Sequence, residues 1–209
     1  MADRTSLAQR NMMAGTAFLA APIFMLVYGV VRFLGGRHSP SAAWTLGHLA
    51  FLVALFLFGF VLLGLRRRVD PERRGLRTGA DIATVAGFLG LAAMIIQISV
   101  DLVVGLVSAD HAAMSRTFEA FQSWPGVTPA IYTIMPQLLF VGFVALSILA
   151  AVSRRTHPSV PILITIGTAF AAANLNLLPA AAVCYALALA PLGLHLIRQA
   201  DTRPELAHT

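Results

Sequence analysis

Polar side chains that could do acid-base or binding chemistry are few in this sequence, and they recur at helical spacing within apolar runs. Gly87, Gly90, Met94, Gln97 and Asp101 follow one another at intervals of three and four residues, so a helix brings them onto one face. A carboxylate in an apolar helix is costly and usually faces the interior of a bundle or a water-filled cavity. Asp101 is therefore the leading candidate for a proton- or ion-binding group.

Other polar side chains are predicted to lie at the depth of Asp101. His48 is about one and a half turns into its own apolar run, and Tyr28 and Arg32 are four residues apart at the end of another. The opposite ends of these runs carry almost no polar residues. This asymmetry predicts a polar pocket open at one end of a helix bundle. Asp101 and His48 are the predicted catalytic residues of this pocket if the protein is an enzyme. The other predicted lining residues are Arg32, Gln97, Tyr132, Gln137 and Tyr185.

Three of these residues also have structural interpretations that the sequence leaves open. Arg32 can extend its guanidinium to lipid headgroups. His48 can be a buried histidine bonded to a neighbouring group. A salt bridge between Arg32 and Asp101 would satisfy both charges without any function.

The residue types exclude some chemistry and disfavour more. All 15 residues in the lysine and arginine class are arginine, so no lysine is present to form a Schiff base. The single cysteine, Cys184, cannot form an internal disulfide. No two histidines lie four residues apart, and no Gly-x-Ser-x-Gly motif occurs. We therefore predict no metal site, no cofactor and no nucleophilic triad.

The composition places these residues in a membrane protein. Of 209 residues, 58% are apolar and 11% are charged, and the mean hydropathy is +0.79. Soluble domains carry about 25% charged residues, and a helix needs about 20 apolar residues to cross a membrane. We predict an all-α polytopic protein, one domain over residues 1–209, with six transmembrane helices in one bundle at about 13–34, 43–65, 81–107, 128–152, 159–177 and 180–197.

The predicted loop over residues 108–126 has a character of its own. It carries Phe118, Phe121 and Trp124 among charged residues. This pattern favours a short helix at the membrane interface, with a lid over the pocket as the more specific alternative.

Arginines are distributed unequally between the two ends of the predicted spans. With both termini in the cytoplasm, 12 of the 15 arginines are cytoplasmic, and only Arg32, Arg37 and Arg116 lie outside. This distribution follows the positive-inside rule, so the pocket is expected to open outward. The Arg66–Arg77 connector would then meet anionic lipid headgroups, and no nucleic-acid partner is expected.

Several features of the chain resemble a broad set of uncharacterised six-span bacterial membrane proteins. Gly47-His48 opens the second span, a basic connector follows, the Gly-rich third span ends in an aspartate, and Arg154-Arg155 and a proline follow the fourth span. The resemblance covers most of the chain. It implies a six-helix bundle in the inner membrane of a bacterium, and it assigns no activity.

Three functions are consistent with the sequence. The pocket can bind a small molecule or an ion, in a transport role in which Asp101 binds the ion or proton. Alternatively, the protein is a membrane enzyme of isomerase or cyclase type. Asp101 is then the general acid, with His48 or Tyr132 as its partner, on a lipophilic substrate. In the third alternative, it is an accessory or immunity-type component whose polar groups only hold helices together.

Overall fold

A computed structural model of the chain describes residues 2–34 and 40–201, with side chains described for residues 8–34 and 40–200. Arg37 and Arg203, and the side chain of Arg4, lie outside this part of the chain. The described residues form no strand and seven α-helices: α1 (Ala2–Leu34), α2 (Ala42–Arg66), α3 (Arg74–Val107), α4 (His111–Gln122), α5 (Met135–Val152), α6 (Ser159–Ala173) and α7 (Leu178–Asp201).

Five helical stretches are long and apolar enough to cross a membrane, and the protein is therefore a multi-pass membrane protein of α-helices. These stretches are Ala8–Leu34, Ala42–Arg66, Arg74–Val107, Thr128–Val152 and Leu175–Ala200.

The sixth predicted crossing falls on α6. Its 15 residues give a length of about 22 Å, less than the hydrocarbon thickness of about 30 Å. Six crossings and the side on which the termini lie therefore stay predictions.

Six of the helices form a closed ring in the order α1, α2, α3, α5, α6 and α7, with α7 packed back against α1. The amphipathic helix α4 stands apart from this ring and packs on α3. We call the end of the ring near α4 the α4 end. The opposite end carries residues 66–77, Arg154, Arg155 and Arg198, and we call it the basic end.

Glycines bring the helices of the ring into backbone contact. A Cβ atom at Gly90 of α3 would collide with the backbone nitrogen of Leu139 in α5, and one at Gly142 of α5 would lie 2.6 Å from the nitrogen of Gly87. No other residue type fits such a crossing without separating the helices. The glycine face of α3 therefore packs against other helices, as its spacing predicts.

Two predicted spans are interrupted near the α4 end. The span predicted at 128–152 begins as a π-helical segment, Thr128–Thr133, and α5 starts only at Met135. Pro136 is therefore in the first turn of α5 rather than inside a continuous helix, because proline has no N–H to extend the preceding turn.

The second interruption follows α6. Asn174 ends this helix, and its side chain accepts a hydrogen bond of 2.9 Å from Asn176 N in the short 3-10 turn Leu175–Leu177. The predicted turn between the last two spans is thus present, but α6 stops four residues before the predicted end at 177.

The predicted helix within residues 108–126 is present as α4. It begins at the N-cap Asp110, whose carboxylate accepts a hydrogen bond of 2.7 Å from Ala113 N. Of its residues, Met114 is buried, whereas Arg116 is exposed. The helix is therefore attached to the ring by a narrow apolar contact.

The basic end is held together by polar contacts of its helix ends and connectors. Arg66 binds Asp81 at 2.6 Å, and the backbone N–H of Asp70 donates to Ser153 Oγ at 3.0 Å. Arg68 lies over the ring of Phe18, 5.2 Å from its centre. Burial lowers the pKa of the Arg68 guanidinium from its ordinary value, and the contact with the aromatic ring offsets part of the lost hydration.

Candidate functional site

A cavity of about 640 Å³ lies within the ring and reaches the α4 end. Every helix of the ring and α4 contribute to its wall. The wall includes all seven residues predicted from the sequence: Arg32, His48, Gln97, Asp101, Tyr132, Gln137 and Tyr185.

His48 and Asp101 lie at the same depth because each is six residues from the end of its helix. Asp101 lies six residues before Val107, the last residue of α3, and His48 lies six residues after Ala42, the first residue of α2. Six residues of α-helix correspond to about 9 Å. The two side chains face each other across the α2–α3 contact, with His48 Nε2 3.8 Å from Asp101 Oδ2.

The tautomer of His48 follows from the backbone around it. His48 Nδ1 is 2.8 Å from the carbonyl oxygen of Trp44, which only accepts hydrogen bonds, so Nδ1 carries a proton. In the neutral imidazole, Nε2 then carries a lone pair that faces the carboxyl group of Asp101. Nε2 and Asp101 Oδ2 are 3.8 Å apart, which is longer than a hydrogen bond, so the two groups attract each other only when one of them carries a further proton.

Trp44 fixes the position of the pair, and sequence reasoning missed it. Its indole N–H donates to the carbonyl oxygen of Asp101 at 3.3 Å, and its ring stacks on His48 at 4.0 Å between ring centres. Gly105 makes this possible, since a Cβ atom there would lie 2.5 Å from the indole nitrogen. The available signal was the spacing of four residues between Trp44 and His48, which places both on one face of α2.

Arg32 lies in the same wall but is not paired with Asp101. Among the described residues, Asp101 forms its ion pair with His48, and no ion pair includes Arg32. The Nε atom of Arg32 is buried without a hydrogen-bond partner among the described residues. Its guanidinium is thus a positive charge in the cavity wall that no described carboxylate neutralises at ion-pair distance.

Tyr132 presents a second buried polar atom without a partner. Its hydroxyl oxygen has no partner at hydrogen-bond geometry among the described residues, and the Gln122 side chain of α4 is close enough to interact with it. The π-helical segment before Pro136 carries this side chain, which packs edge-on against Phe121 of α4. Gln97 and Gln137 add amide groups to the wall from α3 and α5.

An aromatic triad, with Leu62 one turn below it on α2, forms the floor of the cavity. Phe58 of α2, Phe143 of α5 and Tyr185 of α7 meet edge-to-face, with ring centres 5.2 to 5.9 Å apart. The Tyr185 hydroxyl is 3.0 Å from that of Thr168 in α6, so Tyr185 presents its ring to the cavity and not a free hydroxyl. Gly167 leaves room for that ring.

The half of the ring below this floor is closed by apolar side chains. Leu65, Leu146, Ile164 and Leu189 have an exposed fraction of 1% or less. The cavity therefore has a polar mouth, an apolar floor and no continuation to the basic end through these residues.

One face of α4 covers the mouth. Ser115, Phe118, Glu119 and Gln122 of this helix line the cavity. Among the described residues, no three His, Cys, Asp or Glu side chains lie close enough together to hold a metal ion.

Comparison with known proteins finds no matching family model, no matching curated protein and no matching solved structure.

Proposed function

We propose that the protein binds a small organic molecule in a pocket that opens to the outer face of a bacterial inner membrane. The observation that carries this proposal is the cavity of about 640 Å³ with Arg32, His48 and Asp101 in its mouth. Small-molecule sites are typically cavities of about 300–1,000 Å³, mostly apolar, with a few convergent polar groups.

The outward orientation rests on the positive-inside rule. Of the arginines with described side chains, only Arg32 and Arg116 lie toward the α4 end. The α4 end is then the outer end, both termini are cytoplasmic, and α6 completes a sixth crossing.

The shape of the cavity favours an organic molecule over an ion. A single ion needs a few converging oxygen or nitrogen ligands at short distance, whereas this space is much larger and ends on Phe58, Phe143 and Tyr185. An apolar group of the ligand fits against these rings, while its polar group meets the mouth.

A transport role would add one step to binding. The barrier to passage is the aromatic triad together with the leucines below it. Transport therefore requires α2, α5 and α7 to separate at this level, and binding from the outside is its first step.

Catalysis is the second candidate, and the His48–Asp101 pair supports it. A carboxyl group that faces an imidazole nitrogen at 3.8 Å above an apolar floor is suited to general acid-base chemistry on a lipophilic substrate. In that case Asp101→Asn abolishes turnover and leaves ligand binding in place. In an accessory protein the same substitution changes only thermal stability.

Anionic lipids are the proposed partners at the basic end. Arg66 and Arg73 already contact Asp81 and Asp70, and Arg68 lies over Phe18. Within the connector, the arginines that contact lipid headgroups are then the exposed ones: Arg67, Arg74 and Arg77.

A cavity-filling substitution tests the binding proposal. Ala172 lines the cavity, so Ala172→Trp places an indole in it, whereas Val183→Trp adds the same bulk at an exposed position outside the lining. In native mass spectrometry of protein purified from membranes, we expect a bound organic molecule on the unmodified protein and on Val183→Trp. We expect none on Ala172→Trp. The same spectrum for all three proteins would contradict the proposal.

A further inference from the structure

The charges in the cavity wall indicate the charge of the ligand. Of the described residues, Arg32, His48, Asp101 and Glu119 are the charged or imidazole side chains that face it. Asp101 faces the His48 imidazole at 3.8 Å, and Glu119 is exposed to solvent on α4. Arg32 is the positive charge of the mouth, and none of the described carboxylates lies at ion-pair distance from it.

The two buried polar atoms without partners are consistent with that charge. Arg32 Nε is a donor, and the Tyr132 hydroxyl is able to donate as well. Two such donors in one wall are satisfied by an acceptor with several lone pairs, such as a carboxylate or a phosphate.

The apolar part of the cavity is elongated. On α2 its lining runs from Phe51 through Leu55 and Phe58 to Leu62, a distance of about 16 Å along the helix at 1.5 Å per residue. Met94 of α3 lines the same deep region. A space of this length, with no other charged group along it, fits an extended apolar chain better than a compact ring system.

We infer that the ligand is a single-chain amphiphile with one acidic head group. The head meets Arg32 and Tyr132, and the chain extends along α2 towards Phe58. This inference rests on the proposed function, since it names the class of molecule that the pocket takes. A fatty acid and a monoalkyl phosphate share this chemistry.

Tryptophan fluorescence provides a direct test because the chain has only two tryptophans. Trp44 lines the cavity, whereas Trp124 is 70% exposed and is not part of the lining. Trp124→Phe therefore leaves a single reporter in the cavity wall, and Trp44→Phe leaves one outside it. Both proteins are titrated in phosphatidylcholine nanodiscs with dibromostearic acid, whose bromines quench tryptophan on contact.

We expect saturable quenching of Trp44 and only linear quenching of Trp124. The brominated alcohol and amine of the same chain are expected to bind at least about tenfold more weakly, the loss expected when a charge-assisted hydrogen bond is removed. The monoalkyl phosphate is the second arm, and whichever acid binds more tightly identifies the head group.

Charge variants locate the head group. Arg32→Gln should weaken binding of the acid about tenfold and leave binding of the alcohol unchanged, while Arg32→Lys should retain most of the affinity. Arg116→Gln, which removes a charge from α4 outside the cavity lining, should have no effect.

Equal affinity of acid, alcohol and amine for the unmodified site would overturn the inference, and this comparison does not depend on whether any Arg32 variant folds. Absence of saturable quenching by every amphiphile would also overturn it. If Ala172→Trp still displaces a bound molecule in that case, the ligand class is wrong and the pocket stands. If it does not, both proposals fail.

Discussion

A backbone carbonyl determines which nitrogen of His48 faces Asp101. The carbonyl oxygen of Trp44 holds the Nδ1 proton, and the i to i+4 geometry of α2 makes that contact independent of any ligand. Trp44 also binds the carbonyl oxygen of Asp101, so one tryptophan orients both members of the pair.

This arrangement predicts the tautomer of His48. In protein labelled with ¹⁵N-histidine, the His48 signals should show a protonated Nδ1. In Asp101→Asn, Nδ1 should stay protonated, because the Trp44 carbonyl oxygen still accepts from it. His48→Gln identifies the signals among the six histidines. A neutral His48 with the proton on Nε2 and a bare Nδ1 would contradict the account.

At the level of elements, the crossing of α3 and α5 determines how the site is assembled. The two helices touch through Gly87, Gly90 and Gly142. Above this contact α3 carries Gln97 and Asp101, and α5 carries Gln137, so a change in the crossing displaces the cavity wall.

Gly90→Ala should therefore be destabilising. Its Cβ meets backbone rather than a movable side chain, and overpacking of this kind costs about 1–3 kcal/mol. Gly79→Ala on the same helix is the control, because its Cβ makes only an ordinary contact with Leu149 at 3.6 Å. We expect a lower Tm in detergent for Gly90→Ala and an unchanged or slightly higher Tm for Gly79→Ala. Equal Tm values would show that the crossing tolerates a methyl group.

Spacing within one helix could be predicted from the sequence, and contacts between helices could not. The glycine face of α3 and the depth shared by His48 and Asp101 follow from 3.6 residues per turn. The partner of Asp101 depended on how α1 and α2 rotate about their axes, so the sequence left both His48 and Arg32 open.

The aromatic floor was beyond prediction for the same reason. Phe58, Phe143 and Tyr185 come from three helices and are separated along the chain by dozens of residues. An aromatic residue in an apolar span gives no sign of which neighbours it will meet. The start of α5 was missed because Pro136 permits either a kink within a helix or a new first turn.

For the whole molecule, the number of crossings depends on α6. The helix is short for a membrane span, and the turn after it at Asn176 lies at the α4 end. A local thinning of the bilayer accommodates such a helix at modest cost.

Thiol labelling of intact cells decides between five and six crossings. In a Cys184→Ala background, Asn176→Cys and Ser115→Cys should both react with a membrane-impermeant thiol reagent from outside, and Gly75→Cys should not. Reaction of Ser115→Cys alone would show that α6 does not cross the membrane. Reaction of Gly75→Cys alone would show that the orientation is the reverse of the proposed one.

The proposed function requires an aqueous path from the outer face into the ring, and two adjacent residues of α3 report on whether it exists. Gln97 lines the cavity, whereas Ile96 is 47% exposed and is not part of the lining. Both lie at the same depth of the membrane. In right-side-out vesicles, also with Cys184→Ala, we predict that a charged, impermeant thiol reagent modifies Gln97→Cys and leaves Ile96→Cys unreacted. Failure of Gln97→Cys to react while Ser115→Cys does would contradict the proposed function.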